Sequence, residues 1–380
     1  MSKEKEEEIL DIPASEKDDF YSDDSLYNIN SWGADLSFRE LISQYEEGDL
    51  EKPELQRNYV WDKAEASRFI DSILLGLPVP SIFLAKTRDE KMLIIDGYQR
   101  IMTVYDFVRG IFTKDEKVFR LTNSEKINDR WRGKAFSELS ETDQRKIRTT
   151  TIHCIIFVQI APRDNDTSLY QIFERINTSG RTLLPQEIRN CVYQGTLNKL
   201  LFELNGENSW RRLYGLSETD SRMRDMEFIL RFLAFGSKMF NEITAQRLSL
   251  KKFLNEYMGD LESTSTEGIA SSKERFLSTI RFLEKHLGTQ AFHNLSSTDA
   301  EKIVSKFNPT VFDSIMLATE YALKNNPNLT VEDNVLKQRK LDLLKDEKFQ
   351  DLIRFRTTNV DRIKERIVLA TKYLYGIDYE

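Results

Sequence analysis

The sequence predicts an α+β protein in which a small mixed-sheet N-terminal domain precedes a mostly α-helical C-terminal domain. Three observations carry that reading. Apolar or β-branched runs of strand length, at residues 82–86, 92–95 and 152–160, are confined to the first half. Helical periodicity is interleaved with them, and from about Gly195 onward little else remains. A length of 380 residues exceeds one average domain of roughly 100–200 residues, so at least two cores are expected.

The elements follow in order. Residues 1–34 are read as a disordered acidic tail of low hydrophobicity. Residues 38–47 read as a short helix, and residues 55–61, after Pro53, as an extended segment. Asp62 suits an N-cap, and Ala66, Phe69, Ile70, Ile73 and Leu74 recur at helical spacing until Gly76, which predicts a helix over 63–75. Beyond Pro78 and Pro80, two apolar runs flank the turn at 88–90 and predict a hairpin. Ile101, Val104, Tyr105 and Val108 then share one helical face, so the chain passes from strand to helix across Asp96-Gly97. A helix is expected over 167–176, and Pro185 opens another at a position where its missing N–H costs nothing. Amphipathic helices at 226–235 and 311–323 typify the second half, which the Ser/Thr-rich stretch 262–272 is expected to break. The domains are therefore drawn at 35–195 and 196–380.

Composition excludes several classes. A hydrophobic content of 40%, with 15 Gly and 8 Pro, is that of a globular chain rather than a fibrous or wholly disordered one. No apolar run reaches the roughly 18–20 residues needed to cross a bilayer, and the first residues are charged where a signal peptide would be apolar. A cytoplasmic protein without a membrane partner is expected. Cys154, Cys191 and three scattered histidines offer neither a disulfide framework nor a zinc cluster. His153, beside Cys154 in an apolar strand, reads as a packed core histidine.

The net charge of −7 is unevenly placed. Residues 1–35 hold eleven Asp/Glu against Lys3, Lys5 and Lys17, or −8, which leaves the remainder near +1. From Val335 to Ile367, ten Lys/Arg face six Asp/Glu. That stretch is either a solvated helix face or a phosphate-tracking patch, with Lys337, Arg339, Lys340, Arg354 and Arg356 as its DNA-binding candidates.

Neither G-x-x-x-x-G-K-[ST] nor a G-x-G-x-x-G after a strand is present. Residues 95–100, Ile-Asp-Gly-Tyr-Gln-Arg, supply another way to hold phosphate. A helix beginning after Gly97 directs backbone N–H groups and its positive dipole end outward, and Arg100 adds a planar guanidinium. Asp96 can orient water, hold Mg²⁺ or cap the helix, because Asp96 and Gln99 also fit a capping box. In residues 55–61, Arg57 alternates with Tyr59 and Trp61, while Gln56 lies on the opposite face. Residues 173–183 form a helix end and polar turn whose Arg175, Asn177 and Arg181 matter only if the fold brings them near Arg100.

Taken together, these segments resemble the DUF262 family, associated with the ParB/sulfiredoxin-like fold and with GmrSD-type restriction systems. The matching residues are Gln56-Arg57-x-Tyr59-x-Trp61, Asp71-Ser72-Ile73-Leu74 with Gly76-Leu77-Pro78-Val79-Pro80, and Ile95-Asp96-Gly97-Tyr98-Gln99-Arg100. The run Phe173-Glu174-Arg175-Ile176-Asn177, with Gly180, Leu183, Glu187 and Ile188-Arg189-Asn190, completes a likeness over roughly residues 38–195. The resemblance implies nucleotide binding and hydrolysis in bacterial defence against foreign DNA. By it, Asp96 and Gln99 are the catalytic candidates, Asp96 is also the metal ligand, and Gln56, Arg57, Gly97, Tyr98, Arg100, Asn177 and Arg181 line the nucleotide site. The family's motif is Asp-Gly-Gln-Gln-Arg, and Tyr98 replaces its third residue, a departure that touches hydrolysis more than phosphate binding. Many relatives carry a C-terminal HNH nuclease domain, whose histidine pattern is not evident around His286 and His293.

The expected ligands are a nucleoside triphosphate and Mg²⁺. The expected partners are DNA and either a nuclease subunit or a second copy of the chain. Two alternatives stand beside this reading: a non-catalytic DNA-binding or scaffold module, and a metal-dependent ParB-like nuclease.

Overall fold

The computed structural model describes residue 10 and residues 28–52, 61–87, 90–161, 172, 184–193, 195–220, 222–296 and 302–379. The chain divides into two compact units, one of residues 24–183 and 187–194 and the other including residues 195–380. An α+β fold results, with a mixed sheet in the first unit and mostly helices in the second.

The first unit runs β1 (Asn28–Ser37), α1 (Phe38–Glu47), β2 (Leu50–Glu51), α2 (Lys63–Leu75), β3 (Ile82–Lys86), β4 (Met92–Asp96), α3 (Tyr98–Arg109), β5 (Ile111–Phe112), β6 (Lys117–Val118), α4 (Glu141–Thr149) and β7 (Thr151–Ala161). Its five-stranded sheet has the order β1-β7-β3-β4-β2. β1 pairs antiparallel with β7, β7 parallel with β3, β3 antiparallel with β4, and β4 parallel with β2. Local chemistry sets the helix ends. Ser37 with Glu40 and Asp62 with Glu65 form capping boxes, and Gly76 closes α2 in the left-handed region at φ +78°. The apolar stripe of α2 packs with Ile82, Leu84, Ile94, Ile101, Phe107 and Ile152 in one buried core. The strand-turn-strand expected at 82–95 is the antiparallel β3–β4 pair.

Several expectations need correction or fall outside the described residues. Residues 28–34 belong to β1, not to a tail. β1 pairs with β7 from end to end, and Ala34 and Leu36 pack on the core. Leu10, also within the supposed tail, is buried and forms a parallel bridge with Phe307. His153 is exposed, because strand alternation turns Ile152 and Cys154 inward and leaves the imidazole outside, where Nδ1 lies 2.8 Å from Asp35 Oδ1. The helix expected at 167–176 and the extended segment at 55–60 lie outside the described residues, residue 172 apart.

Between the sheet and the second half, α5 (Pro185–Val192) begins at its proline as expected. The second unit continues through α6 (Thr196–Asn205), α7 (Asn208–Tyr214), α8 (Arg224–Phe235), α9 (Lys238–Asn241), α10 (Leu250–Gly259), α11 (Leu261–Thr264) and α12 (Thr266–Leu287). After β8 (His293–Leu295) and β9 (Ile303–Phe307) come α13 (Pro309–Asn325), α14 (Asp333–Lys345), α15 (Glu347–Arg354) and α16 (Val360–Tyr375). The Ser/Thr-rich stretch interrupts the helices at one residue, Ser265, whose extended backbone separates α11 from α12. Asp260 just before the stretch accepts from Ser263 N–H, and Ser265 Oγ within it accepts from Gly268 N–H, so helix resumes at once. The core gathers Trp210, Phe228, Phe276, Phe307 and Phe312 around α7, α8, α12 and α13. Beside them Asp313, fully buried, is shared by Arg231 (Nε to Oδ1, 3.2 Å) and Arg366 (Nη2 to Oδ2, 3.1 Å). Removing any one of the three would leave a buried charge short of a partner, so this cluster is a requirement of the fold.

Candidate functional site

The strand-to-helix junction is built from β4, Gly97 and α3. Asp96 is the last residue of β4 and Tyr98 the first of α3, with Gly97 between them at φ +106°. Only glycine suits this point on two counts. The left-handed φ disfavours an L side chain, and an ideal Cβ would sit 2.2 Å from Ile82 Cγ2. Gly97 thus lets the helix start pressed against β3 and brings no side chain to cover its N-terminal end.

The side chains around it do not form the capping box that the spacing of Asp96 and Gln99 allows. Gln99 Oε1 instead accepts from Trp61 N–H at 3.2 Å, which ties the residue before the α2 N-cap to the first turn of α3. Asp96 pairs with Arg100 (Oδ2 to Nη2, 2.9 Å), and Arg100 Nη1 donates to Ser81 O at 2.7 Å. The Arg100 side chain is 17% exposed and that of Asp96 38%. Arg100 is therefore engaged at both ends of its guanidinium rather than projecting freely, and it anchors the Pro80-Ser81 loop to α3. Tyr98 is buried, packs in the core and carries Lys52 Nζ 4.8 Å above its ring. Its side chain also bonds to the phenol of Tyr45, whose pKa is raised by burial and by the neighbouring Tyr105. Tyr98 fills space in the core here.

Asp71, in the matched stretch of α2, has a structural task that spacing did not reveal. Its buried Oδ1 accepts from Asn128 N–H at 3.0 Å and from Trp131 Nε1 at 2.6 Å, pinning the segment that follows β6. The available signal was its place on the buried face of α2: a carboxylate among apolar residues needs donors.

Asp96, Gly97, Gln99 and Arg100 thus lie together, with Trp61 and Ser81 as partners unforeseen from sequence. Gln56, Arg57, Asn177 and Arg181 lie outside the described residues. Among the described residues no group of three His, Cys, Asp or Glu side chains is disposed to hold a metal ion. At the junction the donors that Mg²⁺ would need are engaged, Asp96 by a guanidinium and Gln99 by a backbone N–H, so the residues present suit an anion better than a cation.

The basic stretch divides. Lys337, Arg354 and Arg356 are exposed, while Arg339 Nη1 donates to Leu374 O at 2.9 Å. Lys340 is not a surface contact, a correction to the sequence reading. It lies on the buried side of α14, donates to Gln290 O, and has its amine pKa pushed down to about 7 by burial. Nearby His293 is lowered to about 4 by burial and by Lys340, and His286 Nδ1 lies 2.7 Å from Asp333 Oδ1.

Residues 38–194 match the family described as GmrSD restriction endonuclease, N-terminal domain. This part of the chain belongs to that family, the DUF262 domain of GmrSD-type restriction proteins. The GmrSD-type assignment implies a restriction-system-like defence protein. No curated protein and no solved structure matches the chain. Among the described residues no helix is long and apolar enough to cross a membrane.

Proposed function

We propose that the Asp96–Arg100 junction of this GmrSD-type domain is a phosphate-recognition point for a nucleoside triphosphate, and that the nucleotide drives or switches a DNA-directed defence function. The observation that carries this reading is the guanidinium of Arg100, held at the mouth of a helix whose N-cap is a glycine. A phosphate oxygen offers Arg100 the same geometry as the Asp96 carboxylate, with more charge and with the helix dipole in its favour. Asp96 in this scheme is the resident counter-ion that phosphate displaces. Once released, its partly exposed carboxylate would be free to orient water. Gln99 contributes by holding Trp61, and with it the start of α2, against the site.

Calorimetric titration with each of the four ribonucleoside triphosphates and Mg²⁺, with and without DNA, tests the reading. Saturable binding to at least one is expected, and its loss in Arg100→Ala protein that remains folded locates it. If no triphosphate binds in either condition, the nucleotide reading fails. The DNA-directed part of the proposal draws on the family match and on the exposed cations of the helical unit.

A further inference from the structure

Among the described residues, the second unit presents one exposed aromatic ring that its core does not bury. Phe349, Leu352 and Ile353 of α15 and Val360 of α16 are buried, whereas Phe355 between them is 61% exposed. It is flanked in the chain by Arg354 and Arg356, both exposed, and neither takes part in an ion pair among the described residues. Neighbouring charges are engaged differently: Arg362 pairs with Asp351, and Lys348 with Glu365.

The turn that displays this ring is firmly held. Phe355 N–H donates to Asp351 O at 3.1 Å and Asn359 N–H to Arg356 O at 3.0 Å. Thr357 and Thr358 are buried, Arg366 Nη1 reaches Thr357 O at 2.8 Å, and Leu248 N–H donates to Thr358 O at 2.9 Å. Arg356 sits at φ +48°, a conformation unusual for a residue other than glycine. A third exposed arginine, Arg247, lies opposite Asn359 in the same backbone bridge. The exposed carboxylates nearby in the chain are Asp361, in the first turn of α16, and Asp351, which Arg362 engages.

Resting on the DNA-directed part of the proposed function, we infer that the turn Arg354-Phe355-Arg356, with Arg247 beside it, binds single-stranded nucleic acid. A base stacks on Phe355 and the adjoining phosphates meet the arginines. The chemistry selects this ligand. Guanidinium groups without carboxylate partners call for anions, and a pre-ordered exposed ring adds an apolar face that phosphate alone does not require. A single protruding ring can stack only on a base that is already unstacked, so a single strand is preferred to a duplex.

Fluorescence anisotropy of the full chain with a labelled single-stranded DNA oligonucleotide, and with the duplex of the same sequence, tests the inference. The single strand should bind more tightly than the duplex. Phe355→Ala should weaken it roughly five- to hundredfold, Phe355→Trp should preserve it, and the melting temperature should hold because the ring is exposed. Arg354→Gln and Arg356→Gln should each lower the salt slope by about 0.7. Arg356→Gly should lose the same contact without melting earlier, since glycine accepts the positive φ. If single-strand binding survives Phe355→Ala at full strength yet remains steeply salt-dependent, the DNA reading stands and the stacking site is overturned. If neither form binds at low salt, both fail. Binding of polyglutamate as tight as that of the oligonucleotide and indifferent to Phe355 also overturns the inference, in favour of an acidic polypeptide.

Discussion

Replacing Arg100 with alanine tests whether this side chain ties the junction together as well as facing a ligand. The guanidinium makes two contacts, to Ser81 O at 2.7 Å and to Asp96 Oδ2 at 2.9 Å, with 17% of the side chain exposed. A hydrogen bond from a charged group contributes about 1.5–3 kcal/mol. The ion-pair part is smaller, about 0.5–1 kcal/mol, because the Asp96 carboxylate is more than a third exposed and solvent screens it. Arg100→Ala should therefore cost about 2–3 kcal/mol in urea unfolding and Asp96→Asn about 0.5–1, with a coupling in the double variant close to the smaller figure. The same pair separates two roles for Asp96. If phosphate displaces it from Arg100, Asp96→Asn should tighten triphosphate binding about two- to fivefold, the equivalent of that 0.5–1 kcal/mol. If Asp96 instead held a metal needed for binding, the variant would bind more weakly. An Arg100→Ala protein unfolding at the parent's urea midpoint would refute the anchoring argument, and weaker binding by Asp96→Asn would refute the counter-ion argument.

Three further outcomes are expected. Gly97→Ala should destabilise the sheet unit by about 2–5 kcal/mol, combining the left-handed φ with the overlap on Ile82, and a melting curve superimposable on the parent's would contradict the close approach. Asp71→Ala should cost about 2–4 kcal/mol by orphaning Asn128 N–H and Trp131 Nε1, with tryptophan emission shifting to the red; unchanged emission and stability would mean that the segment is held otherwise. Lys340 gives a pH dependence. Its folded pKa, about 7, lies below the ordinary lysine value, so between about 7 and 10.5 the unfolded chain binds more protons and stability rises with pH. Lys340→Met should stabilise the helical unit at pH 7 and flatten that rise between pH 7 and 9, and an identical pH slope in parent and variant would remove the buried amine as its source.

What could be read from the sequence was whatever a few neighbouring residues decide. The helix at 63–75 was legible because Asp62, the stripe from Ala66 to Leu74 and Gly76 are cap, face and stop within a few turns of one another. The β3–β4 hairpin and the start of α3 after Gly97 were legible for the same reason, and the family motif carried the identity of the domain. Tertiary structure decided everything that needed a distant partner. Residues 28–37 form a strand only because β7, more than a hundred residues later, supplies its hydrogen bonds. Gln99 turns to Trp61 rather than back to Asp96, and Arg100 reaches Ser81, because α3 starts against the ends of α2 and β3, a placement no local spacing encodes. Lys340 and Arg356 look alike in a count of basic residues. Which of them meets solvent depends on the face each helix or turn presents, since charge is a property of the residue and burial a property of its neighbours.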